Sequence, residues 1–445
     1  MIITCQVLAL NVKDFLPPKS EDFLLGTSPK RSRLMNRSED VFMMRTSWFA
    51  RRQKTPSNTQ RRIMRMPLSR IVLSGMMSLI VTVTAVAGPP KVIIDTDFNT
   101  IFDDGQVAIM AAQLYSQGVI DILGFTVASG NEWRDQEVAE CLKAMERMGI
   151  EYRVKVHVGA QYPLLHDYQS YQQELLKFGP AIDYVGAYSS AQPDPGHLAK
   201  PPGGFATHTR PAKEDAVDFI IRMIHRYPHE VSILEVAPPT NLAMAIRKDP
   251  TIIPLIKQIV TMAGQIVVKG NAYLDNAEFN WWFDPEATQI VLRADIPHVV
   301  VPLDCTNTVP LTQTVYNQIA NARPQTVVTK LFADTFVNAI GSTLFDTVAL
   351  AVLVHPEFAD STQELYLDMD TTFDSPPGTP HNYGKSIVYG PPPFDPYPYA
   401  GIGLLQKSKV IFTIHNDAYY DFYVELLTGP VPVQFKGGWH DFQDD

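Results

Sequence analysis

Cysteine is almost missing: the 445 residues contain only Cys5, Cys141 and Cys305. That excludes a disulfide framework and a cysteine-rich zinc site. Cys141 falls in a helical pattern and Cys305 near a strand end, where a free cysteine serves as a small buried hydrophobe. Positive charge is also scarce beyond residue 87, where 23 Lys/Arg face 42 Asp/Glu. Such an acidic body lacks the positive surface that replaces counterions on nucleic acid, so no nucleic-acid partner is expected. No internal repeat and no linker interrupts residues 88–445, which read as one domain. A long hydrophobic run is absent as well. The uncharged stretch from Ile71 to Ala87 spans 17 residues with several Ser and Thr, marginal for a membrane span.

The first 87 residues have the opposite balance, 14 Lys/Arg against 5 Asp/Glu. Residues 1–65 are basic, rich in Ser and Arg and without periodicity. They read as a disordered extension, or as sequence ahead of a translation start near Met66. Residues 66–87 read as a signal peptide. Arg61, Arg62, Arg65 and Arg70 precede the uncharged run, and Ala85-Val86-Ala87 ahead of Gly88 has the small-x-small form of a cleavage site. A secreted or periplasmic product is expected, with tethering by an uncleaved signal anchor as the alternative.

From Lys91 the pattern alternates strand and helix. Val92–Ile94, Ile120–Val127, Val154–Val158 and Val231–Val236 are short apolar runs expected as strands. Asp103–Gln117 and Trp133–Met148 carry apolar residues at helical spacing, the second ending at Gly149. Ala216–His225 and a segment from Asn241 to Arg247 add helices, and 256–262, 290–292 and 299–303 continue the alternation. Residues 376–398, with eight prolines, predict a long surface loop or flap, followed by a strand over 409–414 and a helix over 419–427. Repeated β–α units predict an α/β fold, a mostly parallel open sheet with helices on both faces and a Rossmann-like core. Sites in such folds lie at the carboxyl ends of the strands.

The strongest local signal is Asp95-Thr96-Asp97-Phe98-Asn99-Thr100-Ile101-Phe102-Asp103-Asp104, directly after a strand and opening a helix. Four carboxylates gathered there repel one another unless a cation or hydrogen-bond donors compensate. A hard divalent cation is the natural partner, and Ca2+ tolerates irregular, carboxylate-rich shells best. An Asp-x-Asp pair after a strand also opens the haloacid-dehalogenase-type phosphatases, with Asp95 as nucleophile. That reading leaves the Asp103-Asp104 pair unexplained.

Motifs further along bear on the choice. Gly124-Phe125-Thr126-Val127-Ala128-Ser129-Gly130-Asn131, Val158-Gly159-Ala160 with Pro163-Leu164, and Ala237-Pro238-Pro239-Thr240-Asn241 follow in order. Then come Met262-Ala263-Gly264, Gly270-Asn271, Glu278-Phe279-Asn280, Asp284-Pro285, Leu303-Asp304-Cys305-Thr306-Asn307 and Phe345-Asp346. In this succession, over roughly 91–427, the chain resembles the nucleoside hydrolase family (inosine–uridine-preferring type), and its purine-preferring branch in particular. Ala237 and Pro239 depart from the family's turn.

The resemblance implies hydrolysis of the N-glycosidic bond of ribonucleosides, giving ribose and free base. It implies side-chain Ca2+ ligands at Asp97, Asp104 and Asp346, a backbone-carbonyl ligand at Thr240, and Asp103 as general base. Asn99, Asn131, Asn271, Glu278 and Asn280 match sugar-binding groups, Met262 a residue under the sugar, and Asp95 a position behind the ligands. Assembly as a homodimer or homotetramer is expected by family analogy. Inosine–uridine-type members carry a histidine immediately before the final metal-binding aspartate. Here Phe345 stands there, as an aromatic does in the purine-preferring branch, and is expected to stack on the base. Trp281, Trp282, Tyr168 and Tyr171 are further aromatic candidates. An exported nucleoside-binding protein that has lost turnover is the rival from another class, though an intact Asp103 has no use in a pure binder.

The product exported by the native host is expected to begin near Gly88. N-terminal sequencing reads this directly, and a soluble cytoplasmic chain retaining residues 66–87 would refute export.

Overall fold

Strand β1 (Lys91–Thr96) is buried from Val92 onward, and it splits its side chains between two cores. Val92 and Ile94 pack with the first core and Ile93 with the second, as the two-residue period of a strand requires. β4 (Val231–Val236) does the same, with Leu234 and Val236 on one face and Val231 and Ile233 on the other. Strands apolar on both faces belong in the middle of a sheet covered by helices on both sides. The computed structural model describes residues 88–179, 184–190, 193–373, 381–398 and 403–429. The extension and signal peptide expected over 1–65 and 66–87 lie outside them.

The remaining strands are β2 (Asp121–Val127), β3 (Val156–Val158), β5 (Gln258–Met262), β6 (His298–Val301), β7 (Ala359–Met369), β8 (Ser386–Tyr389) and β9 (Lys407–Ile414). They form one nine-stranded sheet in the order β3-β2-β1-β4-β5-β6-β9-β7-β8. Pairing is parallel from β3 through β9, and β7 and β8 add an antiparallel edge. The chain builds outward from β1 to β3, then restarts at β4 and builds the other way. The crevice above β1 and β4 is therefore the topological switch point, where α/β sheets hold their ligands.

The expected parallel core is present. Ile290–Leu292 continues the alternation as the end of the helix Pro285–Leu292. Part of the proline-rich segment is not a loop: Ser386–Tyr389 pairs with β7. That segment backs a buried aromatic layer, with the Gly384 backbone packed against Trp282 and the Tyr383 hydroxyl donating to Glu286. Among the described residues no helix is long and apolar enough to cross a membrane. Cys141 and Cys305 are buried and free.

Candidate active site

Three segments deliver the carboxylates. β1 ends at Thr96 and passes Asp97 into a turn closed by Asn99. The Asn99 side-chain oxygen accepts from the Ile101 N–H at 3.1 Å, and its carbonyl accepts from Phe102 and Gly105. The turn feeds the helix Asp103–Ser116, whose first two residues are acidic, as the positive end of a helix favours. A second helix, Phe345–Val354, brings Asp346 to the same place, and the Asp346 N–H donates to the Asp103 carboxylate at 3.3 Å. Ligand-capable oxygens of Asp103, Asp104 and Asp346 lie within 4.8 Å of one another.

Asn131 fastens the group from the β2 side. Its backbone N–H donates to Asp97 Oδ2 at 2.9 Å, and its side-chain NH2 donates to Asp104 Oδ2 at 2.9 Å and to the Asp97 carbonyl at 2.8 Å. Thr96 donates to the other Asp104 oxygen. Gly130 is required here, since a Cβ would overlap the Asp97 carboxylate. Burial first, and then repulsion by the neighbouring aspartates, pushes Asp97, Asp104 and Asp346 well above the ordinary carboxylate range, and burial raises Asp103. Among the described residues no Lys, Arg or His lines the cavity above them. An all-oxygen, carboxylate-rich set without an internal cation fits a hard divalent ion.

That cavity has a volume of about 340 Å³. Of the residues singled out in the sequence, Asp97, Asp103, Asp346, Asn131, Met262, Asn271, Glu278, Asn280 and Phe345 line it. Glu278 caps the short helix Phe279–Phe283, accepting from the N–H groups of Gly264, Asn280 and Trp281. Burial nevertheless holds its carboxyl up at about 7. The Asn280 NH2 donates to the Met262 carbonyl at 3.0 Å, joining this wall to the end of β5.

Other expected residues lie elsewhere. Asn99 does not line the cavity, because its side chain is committed to its own turn. Asp104 and Thr240 are buried outside the lining. The Thr240 hydroxyl donates to Asp284 at 2.6 Å, so any ligand role for Thr240 rests on its carbonyl. The closest carboxylate trio includes Asp103, assigned as base, rather than Asp97. Trp281, Trp282 and Tyr171 are core residues, and Tyr168 packs against the same aromatic layer. Asp95 is fully buried, accepts from Thr126 and Asn241, and sits opposite Glu235 on β4. A nucleophile hidden from the cavity removes the phosphatase reading.

The cavity also recruits residues to which the sequence reading gave no role: Phe102, Gln106, Tyr184, Phe279, Ser342 and Thr343. Tyr184 meets Phe279 edge to face at 4.8 Å and Phe102 at 6.3 Å, so the mouth is aromatic. Its hydroxyl donates to the Asn131 side-chain oxygen at 2.6 Å. Phe279 was within reach of the sequence, standing between two expected sugar contacts. Tyr184 lies in a stretch without periodicity.

The family described as inosine-uridine preferring nucleoside hydrolase matches residues 92–420. A pyrimidine-specific ribonucleoside hydrolase of Escherichia coli is 28% identical over 355 residues, 76% of this chain and 97% of that protein. An uncharacterised protein of Schizosaccharomyces pombe is 29% identical over 382 residues, 82% of this chain and 92% of its own length. Among solved structures, a plant nucleoside hydrolase superposes with a TM-score of 0.60 at 23% identity, covering 77% of this chain and all 100% of that one. A purine-preferring ribonucleoside hydrolase from Gardnerella vaginalis gives 0.57 at 22% identity, with 76% and 98% covered.

The raised carboxyls make cation binding pH-dependent. Groups held above their unfolded values, about 4 for Asp, contribute stability below that value and lose it as pH rises through the folded values. A cation reverses that loss by neutralising the ionised cluster, and protons compete with it at low pH. The stabilisation on adding calcium to a chelated sample, read as a rise in Tm, is therefore expected to be larger at pH 8 than at pH 5, approaching about 2.7 kcal/mol at a hundredfold excess over Kd. Pairing each sample with its own chelated control cancels groups such as His298, which burial pushes down to about 4. A calcium effect that is absent, or the same at both pH values, would remove the cluster as a cation site.

Proposed function

The chain belongs to the inosine-uridine preferring nucleoside hydrolase family, and on that premise we propose a calcium-dependent N-glycosyl hydrolase that prefers purine ribonucleosides. The observation carrying this reading is the carboxylate cluster at a cavity whose mouth is aromatic and whose lining, among the described residues, has no cationic side chain. Asp97, Asp104, Asp346 and the Thr240 carbonyl are the proposed ligands. A bound calcium ion supplies charge that makes a water more acidic and aligns the ribose hydroxyls. Asn271, Glu278 and Asn280 hold the sugar, and Met262 packs beneath it. Water attacks C1′, and the C–N bond breaks with its electron pair leaving on the base. The ribose passes through an oxocarbenium-like state that the surrounding negative field favours.

Asp103 is proposed to take the proton from the attacking water. It is the least buried of the four aspartates, and a base must be reachable from the cavity. Its place in the closest trio makes it a rival ligand too, and the two roles separate experimentally. Asp103→Asn is expected to lower kcat on the order of 10²–10⁴-fold with calcium affinity retained, whereas Asp346→Ala is expected to abolish calcium binding. Loss of calcium binding in the Asn variant would make Asp103 a ligand instead.

Similar proteins divide over the base, one named for pyrimidines and another for purines. Purines are the proposed substrates, because Phe345 lines the cavity and stands where a histidine would precede Asp346. A purine can take a proton from solvent on its imidazole ring, helped by stacking on Phe345, whereas a pyrimidine needs a positioned acid. Export from the cytoplasm and assembly as a homodimer or homotetramer, the latter by family analogy, complete the proposal. A ribose-release assay over a panel of nucleosides is expected to show faster turnover of inosine than of uridine. Phe345→Ala is expected to slow purine turnover by roughly twofold to tenfold, the worth of one aromatic contact. Equal kcat/KM for uridine and inosine would require a leaving-group acid that none of the proposed roles supplies.

A further inference from the structure

Glu137 touches neither the cavity nor the carboxylate trio, yet it is completely buried on the helix Arg134–Met148. Its Oε1 accepts two backbone N–H groups, Gly130 at 3.1 Å and Glu132 at 2.7 Å. These flank Asn131, the residue whose amides hold Asp97 and Asp104. Among the described residues its Oε2 has no hydrogen-bond partner. The clamped loop is braced on its far side as well. The Gly130 carbonyl accepts from the Ala187 N–H at 2.8 Å, and Gly186, at φ 52°, passes so close that a Cβ would overlap that carbonyl and Phe279. Tyr184 occupies the remaining Asn131 oxygen. The Asn131 amide is thereby fixed with its NH2 toward the carboxylates and its oxygen toward the cavity mouth.

We propose that Glu137 is a positioning residue for the cation site: a buried carboxylate that clamps the 130–132 loop so that Asn131 orients Asp97 and Asp104. The inference rests on the calcium-dependent reading above and adds to it a residue acting from behind the ligands. One oxygen serves both N–H groups, so the clamp needs an acceptor at that point and not a negative charge. An amide oxygen at the same reach meets the need. A carboxylate drawn back by one methylene does not.

Glu137→Gln and Glu137→Asp therefore separate position from charge. Both are made in the full chain, and calcium affinity is measured by calorimetry without substrate, alongside Tm in chelator and kcat on inosine. Loss of an outer-shell partner typically costs 10–100-fold in metal affinity or activity. E137D is accordingly expected to weaken calcium binding by about tenfold or more, with kcat falling alongside, while E137Q stays within about threefold of wild type. The reverse order would make Glu137 a source of field and overturn the clamp. So would a fall in Tm in chelator for E137D with calcium affinity unchanged, since that marks a purely structural residue. Wild-type protein that binds no calcium overturns the functional reading together with the clamp. Wild type that binds normally, with variants in the wrong order, overturns the clamp alone.

Discussion

Four aspartates are held together out of bulk water, and the rest of the site answers to the cost of doing so. Two unit charges 4.8 Å apart, the span of the closest trio, repel on the order of 3 kcal/mol at an effective dielectric of 20. The fold offsets this with fixed dipoles before any cation arrives. Two helix N-termini point at the cluster, Thr96 and Asn131 donate into it, and the site sits at the crevice above β1 and β4, where the chain's build-up of the sheet reverses direction. What these dipoles leave unbalanced is what a divalent ion can use as binding energy, so one constraint links the sequence motif, the helix starts and the chemistry.

The walls are stiffened by a similar economy of buried polar atoms. Gln265 holds the sugar-binding segment by donating to the Asn276 carbonyl and accepting from the Glu278 N–H and the Ser386 hydroxyl. Asp284 gathers Leu164, Thr240 and Ala287. Asn241 links Asp95 to Ala160. Each of these side chains joins segments remote in sequence. Aromatic packing around Trp282 and Tyr188 supplies the rigid backing.

Much of the fold was legible because the central strands are apolar on both faces and short, so 92–94, 231–236 and 256–262 stand out as buried runs. β7 was not, since its first half is largely exposed and carries Asp360, Ser361, Thr362 and Glu364. β8 was masked by the prolines around it. The carboxylates were legible because four of them at one strand end need a physical reason. Asn99 shows the limit of motif matching. Its place in the order of residues says nothing of whether its side chain faces the sugar or closes its own turn, and it does the latter. Tyr184, Gln106, Ser342 and Thr343 carry no periodic signal and become neighbours only when distant segments pack.

The position of β9 has a bearing on how the molecule comes into being. Residues 407–414 form an interior strand, wedged between β6 and β7, and the helix Asn416–Thr428 packs beside the first helix, with Tyr423 donating to Gln106 and Gln113 donating to the Leu426 carbonyl. A chain emerging from the ribosome thus lacks a plank from the middle of its sheet until the last of these residues appears. Contacts spanning more than 300 residues close late and slowly. Until then, an incomplete chain exposes the edges of β6 and β7, where strand-to-strand association begins.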